Sequence, residues 1–333
     1  MKKKKVSLKD IANELGVSAT LVSYVINNRE KEGRVGKEMA KKIRATAERL
    51  NYKPNHFARS LKNQKSRSIG LILADISNPF FANMARIIED EASKNNYTVI
   101  IGSSDERPEK MERVLNFLSS RQVDGFIIVP TENSQDQIRT LLAEKTPFVL
   151  VDRRFDDISC NSVMTDNFLA SYKAVNHLIK NKSRRMGIVT YDSDLNNHKD
   201  RLKGYLEALK NNKMRVDQQL IKRIKYNQND NDIYKCVKSL VDERKVDSIF
   251  FTTNTLTLKG LKAIHNLGLK ISKDIEILAF DNNEVISFYN YPVTQVIQPI
   301  EKICKESIAI LLDLIENSPG KISNTIFEGK LSR

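Results

Sequence analysis

Three cysteines in 333 residues, odd in number and far apart, exclude a disulfide framework. Cys160, Cys236 and Cys304 contain no Cys-x-x-Cys pair and read as reduced thiols of a core or helix face. His56, His177, His198 and His265 do not cluster with Cys, Asp or Glu at ligand spacing, so no metal and no other cofactor is expected. No apolar run reaches the roughly 18–20 residues of a membrane-spanning helix. Residues 1–5 have the basic character of an export signal. The next ten, VSLKDIANEL, are charged and amphipathic instead of apolar, which favours a cytoplasmic protein. No Gly-x-Gly-x-x-Gly follows the first strand-like segment, where Ala74-Asp-Ile-Ser stands. Phosphate loops and nucleophile elbows are missing too, so an enzyme is not expected. There is no short repeat and no low-complexity tract.

What is present is a charge gradient. Residues 1–67 carry 18 Lys and Arg against 6 Asp and Glu, and the remaining 37 and 35 nearly cancel, so most of the net +14 sits in the first fifth of the chain. A solvated tail accounts for Lys2 to Lys5 alone, but not for Lys37, Lys41, Lys42, Arg44, Lys53, Arg59, Lys62, Lys65 and Arg67 along helical stretches. Neutralising phosphates accounts for both. The length predicts two or three domains, and 40% hydrophobic with 29% charged residues is ordinary globular composition.

Residues 7–27, SLKDIANELGVSATLVSYVIN, read as two short helices and a tight turn. Ser7 and Asp10 make a capping-box start, and Ile11, Ala12 and Leu15 share a face. Gly16 suits a left-handed helix end, and Ser18 can cap the second helix. Val22, Val25 and Ile26 bury its back, leaving Ala19, Thr20, Ser23, Tyr24 and Asn27 as a small polar front that can enter a major groove. The bland alternative is a helical hairpin of a core. A third helix over 35–50 closes a small core through Ala40, Ile43, Ala47 and Leu50, and the charged 28–34 connection before it is somewhat long. Residues 54–62 are a very short helix or a linker, with Phe57, Ala58 and Leu61 on one edge.

From Ile69 onward, strands alternate with helices in two successive series. That rhythm predicts parallel, doubly wound α/β lobes enclosing a cleft at the carboxyl ends of their strands. Helices are expected over 81–95, 108–119, 168–180, 200–210 and 300–316, with segments 293–298 and 325–328 crossing back. Phe80 and Phe81 can stack on a ring, and Asp152, Arg153, Arg201, Asn254 and Asp281 can hydrogen-bond hydroxyls. Taken singly, each is as readily a surface charge or a helix cap. Apolar Phe81, Met84, Ala85 and Ile88 suggest surface reserved for a second copy.

VSLKDIANELGVSATLVSYVINN and NYKPNHFARSLK resemble the headpiece and hinge helix of the lactose-repressor/galactose-repressor family of bacterial transcription regulators. The segments Asp75-Ile-Ser-Asn-Pro-Phe-Phe81, Val151-Asp-Arg153, Arg201-Leu-Lys-Gly204, Phe280-Asp-Asn282 and Tyr291-Pro-Val-Thr-Gln-Val-Ile-Gln-Pro299 extend the resemblance over nearly all of 6–331. It departs at Gly36, where a Ser cap is usual, at Lys182-Ser183, and at Thr255, where an acidic residue is usual. The resemblance implies a helix-turn-helix headpiece over 1–53, a hinge over 54–67 and a periplasmic-binding-protein-like core over 68–333. The first lobe is expected at about 68–165 and 299–325, the second at about 166–295 and 326–333. It implies that Ala19, Thr20 and Tyr24 meet base edges, with Ser7, Ser18, Ser23, Asn27, Asn55, Ala58, Arg59 and Lys62 completing the DNA contacts. Leu61 would wedge into the minor groove at the site centre. Arg201 and Asp281 would hold a small-molecule effector, sugar-like or, as in other members of the family, a nucleobase. The implied partners are pseudo-palindromic operator DNA and a second copy of the chain. A transport receptor and a sugar-processing enzyme are the competing classes.

Overall fold

The computed structural model describes residues 6–52, 65–226, 229–282, 286, 293–317 and 321–332. The expected hinge helix, with Asn55, Ala58, Arg59, Leu61 and Lys62, lies outside the described residues. The chain divides into two compact units, Met1–Ser66 and Arg67–Arg333.

The first unit holds α1 (Leu8–Leu15), α2 (Ala19–Ile26) and α3 (Lys37–Arg49). The capping box closes as its residue types require: Asp10 accepts from the Ser7 backbone N–H at 2.7 Å, and Ser7 Oγ accepts from Asp10 N–H at 3.3 Å. Gly16 ends α1 at φ 64°, a region that a Cβ penalises. Ser18 Oγ accepts the Leu21 N–H at 3.1 Å and starts α2. Gly36 precedes α3 with no side-chain cap bond. The core is Ile11, Ala12, Val22, Val25, Ala40, Ile43 and Ala47. So small a core makes each cap matter.

The second unit consists of two lobes. The first-lobe sheet has the order β11-β5-β4-β3-β1-β2. Its strands are β1 (Ser68–Leu73), β2 (Thr98–Ser103), β3 (Gly125–Ile128), β4 (Phe148–Val151), β5 (Ser162–Thr165) and β11 (Asn324–Phe327). All of its pairings are parallel. α4 (Pro79–Lys94), α5 (Pro108–Ser120), α6 (Gln135–Ala143) and α11 (Ile300–Glu316) cover its faces. The second-lobe sheet has the order β12-β10-β9-β8-β6-β7. Here the strands are β6 (Met186–Tyr191), β7 (Ile221–Ile224), β8 (Ser248–Phe251), β9 (Glu276–Phe280), β10 (Thr294–Ile297) and β12 (Lys330–Ser332). They are parallel except β12, which runs antiparallel to β10. α7 (Asn167–Lys180), α8 (Asn196–Asn211), α9 (Asp230–Lys238) and α10 (Asn254–Asn266) flank this sheet. β3, β4 and β8 are buried at every position, as crossover helices on both faces dictate. No described helix is long and apolar enough to cross a membrane.

Several expectations are corrected. β11 runs to Phe327 and pairs with β5, so Ile326 and Phe327 belong to the first lobe and not to the second. β10 reaches Ile297 beside β9, carrying the second lobe past 295. α8 starts at Asn196 instead of 200, because the turn before it is held by Ser193 Oγ accepting from Leu195 N–H at 3.2 Å. Phe81, Met84, Ala85 and Ile88 of α4 are all buried in one core with Ile303, Cys304, Ile308 and Leu311 of α11. Sheet and α11 use up that stripe, which leaves none of it for a second copy.

The lobes are joined where the chain passes from β5 to α7, from β10 to α11 and from β11 to β12. These passages are bonded together: Thr165 Oγ1 donates to Gln298 Oε1 at 2.6 Å, and Asp166 N–H donates to Phe327 O at 2.8 Å.

Candidate effector cleft and DNA-reading helix

A cleft of about 370 Å³ opens where strands of both sheets end. The first lobe contributes Asp75, Phe80, Glu106, Asp152 and Arg153 to its wall. The second contributes Tyr191, His198, Arg201, Tyr226 and Asp281. Asp152 directly follows β4 and Asp281 directly follows β9, with φ of 68° and 81°. Both carboxylates thus sit on backbone that turns sharply off a strand end, where Asp is tolerated better than a branched residue.

Arg153 is buried and fully engaged. Its Nη1 and Nη2 donate to Glu106 at 2.9 and 3.0 Å, and its Nε to Asp152 at 3.2 Å. Burial alone would ease its proton off, but Glu106, Tyr226 and Asp152 outweigh that and hold it firmly charged. Arg201 donates to Asn167 Oδ1 at 2.8 Å and Thr252 O at 2.7 Å, and its guanidinium lies 3.6 Å from the centre of the Phe280 ring. Burial draws its pKa down against the pull of Asp281 and Asp152. Burial raises Asp281, opposed by Arg201 and by the Gln298 amide, which donates at 2.5 Å. The Asn254 backbone N–H also donates to Asp281 at 3.2 Å.

The aromatic wall is a second-lobe feature. Tyr226 stacks on Tyr191 at 4.1 Å, and its hydroxyl lies 2.6 Å from His198 Nε2. His198 is pushed well below the ordinary imidazole range by burial, then by Arg153 and Arg201, so the ring is neutral. Its Nδ1 has no partner among the described residues. Tyr191 is pushed up to about 12 by burial, so both phenols stay protonated donors.

Of the seven residues expected in the cleft, Phe80, Phe81, Asp152, Arg153, Arg201 and Asp281 line it. Phe81 is also 96% enclosed, at 4% exposure, by the first-lobe core, and acts more as a base for Phe80 than as a platform. Asn254 is not on the wall; it opens α10 and offers Asp281 its backbone, while Thr253 and Thr255 on either side face the cleft. Sequence reasoning missed Glu106, Asn197, Tyr226 and Gln298, and noted His198 only as a non-ligand. Glu106, Tyr191 and Tyr226 lie at or just after β2, β6 and β7. The strand-end rule that found Asp152 and Asp281 extends to them.

In the first unit, Thr20 is exposed on the α2 front, and Ala19, Ser23, Tyr24 and Asn27 are half-buried. Asn27 Nδ2 donates to Ser23 O at 2.7 Å and Ser23 Oγ at 3.2 Å, so these two side chains hold each other. Ser7 and Ser18 are exposed and occupied as caps. Lys9, Lys31, Arg34, Lys37, Lys41 and Lys42 form no ion pair among the described residues. Arg44, expected on phosphate, instead pairs with Glu30 and donates to Asn28 Oδ1 at 3.1 Å. Arg49 pairs with Glu14.

A cationic helix-turn-helix unit and a clamshell with a polar, enclosed cleft in one chain define a ligand-responsive DNA-binding regulator. Residues 7–55 match "Bacterial regulatory proteins, lacI family", and residues 66–298 match "Periplasmic binding proteins and sugar binding domain of LacI family". The chain belongs to this LacI family. Catabolite control protein A of Priestia megaterium is 32% identical over 92% of this chain and 91% of its own length. A probable HTH-type transcriptional regulator, EndR, of Paenibacillus polymyxa is 31% identical over 93% and 91%. Among solved structures, a putative ribose operon repressor from Burkholderia thailandensis is 28% identical, with a TM-score of 0.73 over 80% of this chain and 99% of that one. The lac repressor dimer bound to operator and the anti-inducer ONPF shares the fold, with a TM-score of 0.85 over 99% and 98% at 22% identity. The protein is a DNA-binding transcriptional regulator with a core domain of the sugar-binding type.

Proposed function

We propose that the effector is an uncharged sugar, and that Asp152, Arg201 and Asp281 hold its hydroxyls while Phe80 and Tyr226 cover its ring faces. The observation that carries this is the charge of the wall. Asp75, Asp105, Glu106, Asp152 and Asp281 line it beside Arg153, Arg201 and Lys259; Asp105 is answered by Lys110 and Lys259 by Asp230, which leaves four carboxylates against two guanidiniums. Arg153 is already spent on Glu106 and Asp152. Hydroxyl groups donate to carboxylates and accept from Arg201. A phosphate ester would bring two negative charges against a net acidic wall. A relative from Alkaliphilus metalliredigens QYMF, 25% identical, is solved with D-xylulofuranose, an uncharged sugar.

Ala19, Thr20 and Tyr24 read base edges, the first two through thymine methyl groups, and cationic residues of 1–67 neutralise phosphates. Residues 1–53 form the reading unit, 54–67 the hinge and 68–333 the sensing core. Two copies read the halves of a pseudo-palindrome, with Leu61 wedged at its centre. Sugar binding shifts the angle between the lobes and with it the pairing of the hinges. The cleft binds without transforming its ligand, and the protein works in the cytoplasm beside its operator.

A thermal-shift series of neutral mono- and disaccharides, their phosphate esters and nucleobases tests the reading. A neutral sugar should raise Tm by mass action and its phosphate ester should not. Arg201→Ala should abolish that shift while retaining operator binding. Stabilisation by the phosphate ester alone, or an undiminished shift in the variant, would overturn the assignment.

A further inference from the structure

The 28–34 connection between α2 and α3 is folded instead of slack. Arg29 N–H donates to Tyr24 O at 2.8 Å, Gly33 N–H to Arg29 O at 3.2 Å, and Val35 N–H to Glu30 O at 2.9 Å. Arg29 Nε binds Glu32 at 2.9 Å inside the loop, and Arg44 of α3 ties down Asn28 and Glu30. This coil presses the backbone of Gly33 onto the Tyr24 ring. A Cβ at position 33 would lie 2.5 Å from Tyr24 Cδ2, 2.6 Å from Cγ and 2.9 Å from Cβ. Gly33 does not use positive φ, unlike Asn28 at 55° and Arg34 at 51°. Backbone freedom therefore gives no reason for glycine there; the approach of the ring does. Contact at Cβ and Cγ, the root of the side chain, leaves the ring little room to yield without changing rotamer.

We propose that Gly33 is a positioning residue for operator recognition: it seats the Tyr24 ring in one rotamer and so aims the phenol at its base pair. The proposal rests on the reading above that Tyr24 contacts a base edge. A major-groove hydrogen bond discriminates only when its donor is held in place, and a ring free to swing loses that selectivity. Arg44 acts through the same loop, as a staple and not as a phosphate ligand.

The test uses the full-length chain, a duplex selected from a random pool by the wild type, and a random duplex, with Kd measured by fluorescence anisotropy at one salt concentration. Four proteins are compared: wild type, Gly33→Ala, Tyr24→Ala and the double variant. Gly33→Ala should weaken the selected duplex roughly ten-fold or more, the scale of one lost base contact, and leave the random duplex unchanged. In the Tyr24→Ala background the same change should have no further effect. Unchanged random-duplex binding confirms that the headpiece is folded; if it falls with Gly33→Ala and returns in the double variant, the strain passes through the ring and the seating role stands, whereas a fall that persists in the double variant sinks it. Tyr24→Ala without effect on the selected duplex sinks the base-contact reading and the proposal with it. A loss for Tyr24→Ala but none for Gly33→Ala sinks the seating role alone. An equal loss from Gly33→Ala in both backgrounds also sinks it, because the loss would then not pass through the ring.

Discussion

His198 shows how much one side chain's surroundings decide. Burial and two neighbouring guanidiniums hold its proton off, whereas in the unfolded chain it titrates near 6.5. Below that pH the unfolded state takes up a proton that the native state refuses, so stability falls as pH drops through 6.5 and is insensitive to His198 above it. The expected slope from this group is about 1.4 kcal/mol per pH unit from 6.5 downward, until the folded-state pKa is met. Chemical denaturation of wild type and His198→Gln between pH 7.5 and 5 isolates the term, since Asp105 and the other salt-bridged carboxylates lose their contribution only lower, as pH falls through their depressed values. Equal slopes in the two proteins would show the ring to be protonated in the fold. Asp281 has the opposite sign: burial raises it, so its ionisation opposes folding as pH climbs from the usual carboxylate range.

Among the elements, the join between lobes is informative. Gln298 donates to Asp281 on the cleft wall and accepts from Thr165 in another lobe crossing. One amide therefore touches both the proposed ligand site and the segments about which the lobes turn. Gln298→Leu leaves two buried polar groups unmet and should cost about 1–3 kcal/mol in stability. Operator affinity without effector should persist, while the change in Kd on adding effector shrinks. An unaltered effector response would place the coupling elsewhere. This is also the scale at which sequence reading succeeded and failed. Periodicity located the long helices and the fully buried strands β3, β4 and β8. The strand-end rule then found Asp152, Arg153 and Asp281. β5, four residues reading SVMT, is too short and mixed to stand out. The early start of α8 puts Asn197, His198 and Arg201 within one turn of each other, and nothing local to residues 196–199 announces it. Asn254 failed by a single step, because a helix start decides which of three neighbours faces inward.

At the scale of the whole molecule, the uneven charge makes a measurable claim. DNA affinity should fall linearly in log–log form with salt, and the cations without an internal carboxylate partner should set the slope. Lys37→Ala or Lys42→Ala should reduce that slope by about one and weaken selected and random duplexes alike. Arg44→Ala should leave the slope nearly intact, because its charge is already answered by Glu30. A slope unchanged by the lysine variants would remove them from the phosphate interface. Over residues 68–333 the charges nearly cancel in total, 37 Lys and Arg against 35 Asp and Glu, with 68–165 net acidic and 166–298 net basic.

β11 and β12 are only two residues apart, yet one finishes the first sheet and the other the second. A link that short spans at most about 10 Å, so the two edges it joins stay neighbours whatever the clamshell does. A swing of the lobes about that seam is the relative motion such a tether disturbs least, and a long slide of one lobe across the other would strain it. The proposed sugar, held by Asp281 beside Gln298, would press on the wall next to that seam, where a small displacement becomes a rotation of a whole lobe.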